Sequence, residues 1–390
     1  MSGQPRVRWE EAGEAGSARW RSESGLPPPA RIVIADDRMT AETAFRLACE
    51  GTAMLWRGDS QNARQLLQAM ARRVERAPRR SRHRAAATTP EGPAAAFHRH
   101  RLAQSQRART LAMLLLPFDA DHRIPLRRAP DVRQACLESY GPADEPYVAS
   151  LRELLGLIGA HEWRRSGIEI AELQARIHPH YGVFAPIRSE YVGLVAAAPL
   201  PAPRPELAFD IGTGTGVLAA VLARRGIARV IATDQDPRAL ACARENMARL
   251  GLAGGVEILE ADLFPPGRAG LVVCNPPWLP ARPSSPIEHA IYDPDNRMLR
   301  GFLAGLAAHL EPAGEGWLVL SDLAERLGLR TRDELAAMFV NAGLAVIGRM
   351  DARPRHPRAF DTADPLHAAR SGEVTSLWRL AARPAPATAT

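Results

Sequence analysis

Asn275-Pro276-Pro277-Trp278 is the stretch of this 390-residue sequence whose residue types limit the chemistry most narrowly. Two consecutive prolines fix φ and carry no amide proton, so the turn is stiff and leaves its backbone carbonyls free to accept from another group. The Asn275 amide oxygen is a further acceptor, and Trp278 supplies a flat apolar face. The set suits a planar group bearing an NH₂, with one N–H given to Asn275, the other to the Pro276 carbonyl, and its π face on Trp278. As fold alone, the same residues read as a rigid strand-end turn with a core-packing tryptophan.

A second constellation lies upstream. Leu207-Ala208-Phe209 reads as a strand, Asp210-Ile211-Gly212-Thr213-Gly214-Thr215-Gly216 follows it, and Val217 to Arg225 is an apolar helix closed by Gly226. The glycines let the backbone turn tightly and approach a ligand. A dinucleotide fingerprint needs its third glycine at position 217, which is Val, and a P-loop needs a lysine that this chain does not contain. The next strand, Arg229 to Thr233, ends in Asp234, 22 residues after Gly212, where a carboxylate can accept from both hydroxyls of a ribose. The strand after that, Val256 to Leu259, leads to Asp262. Single acids at strand ends are usually helix caps, as Asp236 before Pro237 is expected to be. Three acids in register with one glycine loop argue instead for an adenosyl ligand across the carboxyl edge of a sheet.

The Asp-x-Gly-x-Gly-x-Gly loop resembles the cofactor loop of class I S-adenosylmethionine (SAM) methyltransferases. That resemblance implies that Asp210, Gly212, Gly214 and Gly216 hold the methionine end of SAM and that Asp262 meets the adenine amino group. The tetrapeptide resembles the Asn-Pro-Pro-aromatic signature of methyltransferases that act on amino groups conjugated to a π system, either exocyclic base amines or the glutamine side-chain amide. Their last residue is most often Tyr or Phe. Trp278 keeps the stacking face, lacks a hydroxyl and demands a wider slot. Val183 to Val195 is similar to the segment preceding the cofactor domain in the HemK/PrmC-type protein-glutamine methyltransferases, with Arg188 and Glu190 aligned approximately. Pro280, Glu288 and the run from Asp293-Pro294 to Gly301 are similar to the region after that family's Asn-Pro-Pro-Tyr. The resemblance spans residues 183 to about 345. It implies SAM as cofactor, Asn275, Pro276, Pro277 and Trp278 as catalytic residues, and a translation-associated protein glutamine as the methylated group.

The elements that must position these residues follow from texture. After His178-Pro179, short β-branched runs alternate with alanine-rich helical stretches, the pattern of a parallel sheet. We therefore expect an α/β, Rossmann-like class I methyltransferase sheet over 179–390. Residues 1–38 mix Gly, Pro, Ser, Glu and Arg and contain Pro27-Pro28-Pro29, which predicts a disordered lead. Over 39–178, apolar residues at helical spacing predict an all-α accessory domain. Its helices run from Thr40 to Arg76 with a break at Gly58-Asp59, from Phe97 to Leu116, over Asp131 to Ser139 and over Tyr147 to Leu157. Residues 77–96, rich in Arg, Ala and Pro, read as a linker.

With 46% hydrophobic and 24% charged residues the composition excludes a collagen, a coiled coil and a wholly disordered chain. No apolar run approaches the ~18 residues of a spanning helix, and the polar N-terminus is no signal peptide, so a cytoplasmic protein with no membrane partner is expected. Cys49, Cys136, Cys242 and Cys274 form no Cys-x-x-Cys pair and no zinc spacing, so no metal is expected. All 50 basic residues are arginines, and the net charge of +7 sits mostly in residues 1–100, which hold 17 Arg against 11 acids. Arg64, Arg72, Arg73, Arg76, Arg79, Arg80, Arg82 and Arg84, opposed only by Glu75, could track a phosphate backbone. Such a run is more often a solvated linker, and a ribosome- or RNA-associated protein partner would also satisfy it. No aromatic residue interleaves it, so a single-strand stacking platform is absent. A nucleic-acid exocyclic amine methyltransferase is thus the alternative function, and a SAM-binding protein without catalysis a further one, which the presence of Asn275 disfavours. His178, His180 and His356 read as structural or solvated residues.

Overall fold

The computed structural model describes residues 4–85, 92–283, 286–354 and 360–383. Two compact units divide the chain, one formed by 1–91 with 98–162 and the other by 92–97 with 163–390.

The N-terminal unit is built on a six-stranded sheet. Its elements run β1 (Arg6–Glu11), β2 (Glu14–Trp20), β3 (Arg31–Ala35), α1 (Ala41–Cys49), β4 (Thr52–Trp56), α2 (Ser60–Ala85), α3 (Pro93–Leu111), β5 (Leu114–Phe118), α4 (Arg133–Tyr140), β6 (Tyr147–Ser150) and α5 (Leu151–Ser166). Helices α3 and α5 each cross a boundary between the units. The strand order is β1-β2-β6-β5-β4-β3.

Two expectations are corrected here. The lead expected to be disordered over 1–38 forms strands within its described residues, 4–38. Val7, Trp9 and Glu11 alternate with Arg8 and Glu10, the turn at Ala12-Gly13 has positive φ at both residues, and the result is the β1–β2 hairpin. Composition hid that alternation. The accessory region is not all-α either, because Thr52–Trp56, Leu114–Phe118 and Tyr147–Ser150 are buried strands. Short apolar runs buried on both faces carry no period that separates strand from helix. The expected 77–96 linker is also displaced, since α2 continues to Ala85 and α3 starts at Pro93, while 86–91 lie outside the described residues.

The C-terminal unit begins with a β7 (Ile168–Ile170) and β8 (Ala175–Ile177) hairpin, so its boundary lies before the expected residue 178. It continues with α6 (Glu190–Ala197), β9 (Leu207–Ile211), α7 (Val217–Arg224), β10 (Arg229–Asp234), α8 (Pro237–Arg249), β11 (Val256–Glu260) and β12 (Ala269–Cys274). Then come α9 (Arg297–His309), β13 (Leu310–Ser321), α10 (Leu323–Arg326), α11 (Arg332–Asn341), β14 (Leu344–Ala352), α12 (His367–Ser371) and β15 (Thr375–Ala382).

Seven strands pair in the order β11-β10-β9-β12-β13-β15-β14, with β15 antiparallel to both neighbours and the other pairs parallel. Successive residues of each central strand enter opposite cores. Ala208, Leu271, Val273, Trp317 and Val319 pack with α6 and α7, while Phe209, Val272, Cys274, Leu318 and Leu320 pack with Leu299, Phe302 and Leu306 of α9. Burial on both faces is why these strands read as continuous apolar runs. The strand order reverses between β9 and β12, and ligands of open α/β sheets bind at the carboxyl ends of the strands at such a point.

If the accessory region is a packed sheet, removing a central strand side chain must open its core. Leu115→Ala, at a residue fully buried in β5, is expected to lower the unfolding free energy of the N-terminal unit by ~2–5 kcal/mol in urea titrations. A change within ~0.5 kcal/mol, as at surface positions, would contradict that packing.

Candidate active site

Ile211 and Cys274 are paired residues at the tips of β9 and β12, so Gly212 and Asn275 leave the sheet side by side at the reversal point. The glycine loop between β9 and α7 has positive φ at Gly212, Gly214 and Gly216. At Gly216, which opens α7, the positive φ favours glycine, and a Cβ would stand 2.9 Å from the mobile end of Met247 and 3.3 Å from Ala243 Cβ, so the space is tight as well. At Gly214 nothing lies within 4 Å of a Cβ position, so open room faces the loop there.

Asp210 is buried and holds the loop from within. Its Oδ2 accepts from Thr213 Oγ1 at 2.7 Å and from the Ala219 amide at 3.0 Å. Ala219 is the third residue of α7, so Asp210 satisfies an N-terminal amide that Gly216, lacking a side chain, cannot. Burial nevertheless pushes its carboxyl up to about 6.

Asp234 ties the next strand to the same loop. Its Oδ2 accepts from the Gly214 amide and its Oδ1 from the Asp236 amide, each at 3.0 Å. Each oxygen keeps further acceptor capacity. Burial raises this carboxyl as well. Asp236 caps α8 through the Arg238 amide at 2.9 Å, as expected. Asp262 follows β11 but is exposed, and its Oδ2 pairs with Arg297 at 3.1 Å.

At the tip of β12, Asn275 is half-buried and Pro276 buried. Trp278 packs against both apolar cores, and its indole Nε1–H donates to Asn275 Oδ1 at 2.9 Å. Among the described residues no protein donor reaches the Pro276 carbonyl. Leu279 then locks the exit of the turn. It bridges to Tyr292, receives the Asp293 amide at 2.8 Å, and packs with Phe97, Leu323, Ala324, Leu327 and Leu366.

Several of these supports escaped sequence reasoning. Asp293 is buried and accepts from the Met298 and Leu299 amides at 2.9 and 3.1 Å, which fixes the start of α9. Burial raises its carboxyl. The Met298 side chain stands against Gly212, and Phe97 comes from the first third of the chain. An acid before a proline and a helix was the available signal for Asp293. None existed for Phe97. Arg188, singled out in sequence, pairs with the buried Glu373 at 3.0 Å and belongs to the scaffold. His178 and His180 are likewise structural, hydrogen-bonded to the Arg164 carbonyl and to Glu245. His356 lies outside the described residues, as do the side chains of Arg76 to Arg84.

Residues 174–342 match the family model described as Methyltransferase small domain. This segment is a methyltransferase domain. The release factor glutamine methyltransferase of Cereibacter sphaeroides is 35% identical over 185 residues, covering 43% of this chain and 63% of that protein. The protein of the same name from Mycolicibacterium smegmatis is 40% identical over 129 residues, covering 31% and 44%. The chain thus spans less than two thirds of the curated relatives it matches. Among solved structures, a methyltransferase from Pyrococcus furiosus aligns with 58% of this chain and 98% of its own at a TM-score of 0.39 and 18% identity. The methyltransferase segment contains the glycine loop, Asp234, Asp262 and the Asn-Pro-Pro-Trp turn, while most of the N-terminal unit lies outside it. Among the described residues no helix is long and apolar enough to cross a membrane.

The raised Asp210 carboxyl gives a pH test. Between its ordinary value of 3.8 and about 6 the folded state binds a proton that the unfolded chain has released, so this group's contribution to stability falls as pH rises through that window. Asp210→Asn stays neutral throughout. Relative to the parent it should gain on the order of 2–3 kcal/mol in urea unfolding free energy on going from roughly pH 4 to pH 7. A pH-independent difference would show that the carboxylate is not desolvated.

Proposed function

We propose that the methyltransferase domain transfers a methyl group from SAM to the side-chain amide nitrogen of a glutamine in a translation-associated protein. The observation that carries this reading is the adjacency of Gly212 and Asn275 at the paired tips of β9 and β12, which sets a cofactor loop beside two hydrogen-bond acceptors.

The residues suit the cofactor. Open room faces Gly214, and the Asp234 carboxylate, already oriented by two backbone amides, has capacity left for the ribose hydroxyls. Gly212, Gly214 and Gly216 form the cradle for the methionine end, Asp210 shapes that cradle from behind, and Asp262 serves the adenine amino group. When bound, SAM supplies an electrophilic methyl group on a sulfonium.

The chain's own contribution is orientation and electrostatics. An amide nitrogen is a poor nucleophile because its lone pair is delocalised. Asn275 Oδ1 and the Pro276 carbonyl accept its two N–H bonds, hold the lone pair in one direction and ease the nitrogen out of planarity. Their fixed dipoles stabilise the positive charge that develops on nitrogen. The Trp278 ring gives the amide plane a face to lie on. Pro277, with the φ of its predecessor fixed too, keeps these groups from relaxing away. No dedicated base is needed, since the methylated nitrogen is acidic enough to lose its proton to water. The glutamine amide is favoured over a base amine by the relatives named for it.

Asp234→Ala is expected to weaken SAM binding by ~10–100-fold in calorimetry, the worth of charge-assisted hydrogen bonds. Unchanged affinity would remove the ribose assignment. Asn275→Ala should bind SAM like the parent while kcat falls by ~10²–10³-fold, as for loss of one preorganised electrostatic group. A fully active variant would refute the acceptor role. The substrate class is read by incubating the protein with labelled SAM and a purified bacterial release factor. Label is expected on glutamine after complete digestion, and label released from cell extract by ribonuclease instead would overturn the protein-amide reading.

A further inference from the structure

We propose that Trp278 is a positioning residue whose indole N–H locks the Asn275 amide with its oxygen toward the acceptor, so that the site admits groups presenting N–H and rejects groups presenting a lone pair. The proposal rests on the reading of Asn275-Pro276-Pro277-Trp278 as the methyl-acceptor site.

An asparagine side chain has two nearly isosteric orientations that exchange a carbonyl acceptor for an NH₂ donor, and nothing in its shape selects between them. Its environment must do so. In this site the selecting contact is the 2.9 Å hydrogen bond from Trp278 Nε1 to Asn275 Oδ1. An indole nitrogen donates and never accepts. Flipping the amide would set Nδ2–H against Nε1–H and leave a half-buried donor without a partner, biasing the amide by on the order of 10-fold toward the orientation seen.

The lock works because the indole is held from several sides. Pro276 and Pro277 fix the backbone before it. Trp278 is wedged between the apolar cores on the two faces of the sheet. On its other side Leu279 is pinned by its bridge to Tyr292, by hydrogen bonds with Ile291 and Asp293, and by its packing on Phe97. A phenylalanine at 278 would keep the stacking face and lose the donor. Tryptophan therefore adds to the turn a function that stacking alone does not require.

Two consequences follow for the incoming group. One acceptor direction of Oδ1 is taken by the indole, so the oxygen offers a single site, and a primary amide must give its second N–H to the Pro276 carbonyl. A group with an acceptor at that place, such as a ring nitrogen or an amide oxygen, meets a carbonyl that the indole biases against turning to present its NH₂. The lock thus discriminates by hydrogen-bond polarity, independently of the size of the slot.

The hydrogen bond is tested first without any substrate. In the full-length protein labelled with ¹⁵N at indole nitrogens, the Trp278 Nε1–H resonance, identified by its loss in Trp278→Phe, should move upfield in Asn275→Ala and exchange with solvent at least ~10-fold faster. An unmoved resonance overturns the lock, and this measurement does not depend on turnover by either variant.

A double-mutant cycle then tests the role, with labelled transfer to a release factor as the assay and SAM calorimetry as the control for folding. Trp278→Phe should lower kcat by about 2-fold with SAM affinity unchanged, because releasing a ~10:1 bias leaves about half of the amides with oxygen toward the acceptor. In the Asn275→Asp background, where either oxygen presents an acceptor, the same substitution should leave kcat unchanged. Equal losses in both backgrounds would mean that Trp278 acts only through packing, and would overturn the proposal. A perturbed indole resonance together with full activity of Asn275→Ala would instead leave the hydrogen bond standing and sink the acceptor-site reading beneath it.

Discussion

The parallel pairing of β9 with β12, in the register that sets Ile211 opposite Cys274, is the constraint on which the site depends. Neither motif does anything alone. A glycine loop at one strand tip can only approach a ligand, and an Asn-Pro-Pro turn at another can only offer acceptors. The strand order reverses between them, so the helices that follow leave toward opposite faces and the crevice stays uncovered. A shift of one residue in that pairing would exchange the faces on which Phe209, Val272 and Cys274 are buried, at the cost of both cores at once. Register is therefore specified by burial, and the site inherits its geometry from that.

Around the crevice, carboxylates are used largely to satisfy backbone. Asp210 serves the Ala219 amide of α7, Asp236 the Arg238 amide of α8, and Asp293 the Met298 and Leu299 amides of α9. Each acid stands at the positive end of a helix, which offsets part of the desolvation that raises Asp210 and Asp293. Asp234 alone among them bridges two loops, accepting from Gly214 and Asp236. It is the carboxylate best placed both to define the loop and to meet a ligand. The same logic separates Asp262, exposed and paired with Arg297, from the acids that build the cradle.

The parts of this chain that were legible in sequence are those where local pattern and tertiary role coincide. The four strands that hold or lead to Asp210, Asp234, Asp262 and Asn275 lie where short β-branched runs and following turns put them. The Asp236 cap was legible because Asp-Pro fixes it locally. The N-terminal unit was not. Its β4, β5 and β6 are four or five residues long and buried, and in β1 and β2 alternation was outweighed by a composition that resembles disorder. Asp210 illustrates a finer limit. Its presence in the motif was plain, whereas its work as a buried anchor for Thr213 and Ala219 depends on α7 folding back over the strand.

Phe97 shows the limit most sharply. It belongs with the C-terminal unit, and its ring, 2% exposed, fills the cluster beneath Leu279, the residue that ends the Asn-Pro-Pro-Trp turn. A full aromatic side chain buried there contributes on the order of 3 kcal/mol to the stability of the cluster in which that turn's exit packs. No periodicity or motif near position 97 announces this, because the surface it fills is assembled from Leu323, Ala324, Leu327 and Leu366, which gather only after the sheet has closed. The Trp278–Asn275 hydrogen bond needs a still indole, and the indole is still partly because Leu279 is. The Asn-Pro-Pro-Trp turn is therefore braced by a residue far upstream of the methyltransferase segment, and transplanting that segment without residues 92–97 would leave the turn present and its exit unsupported.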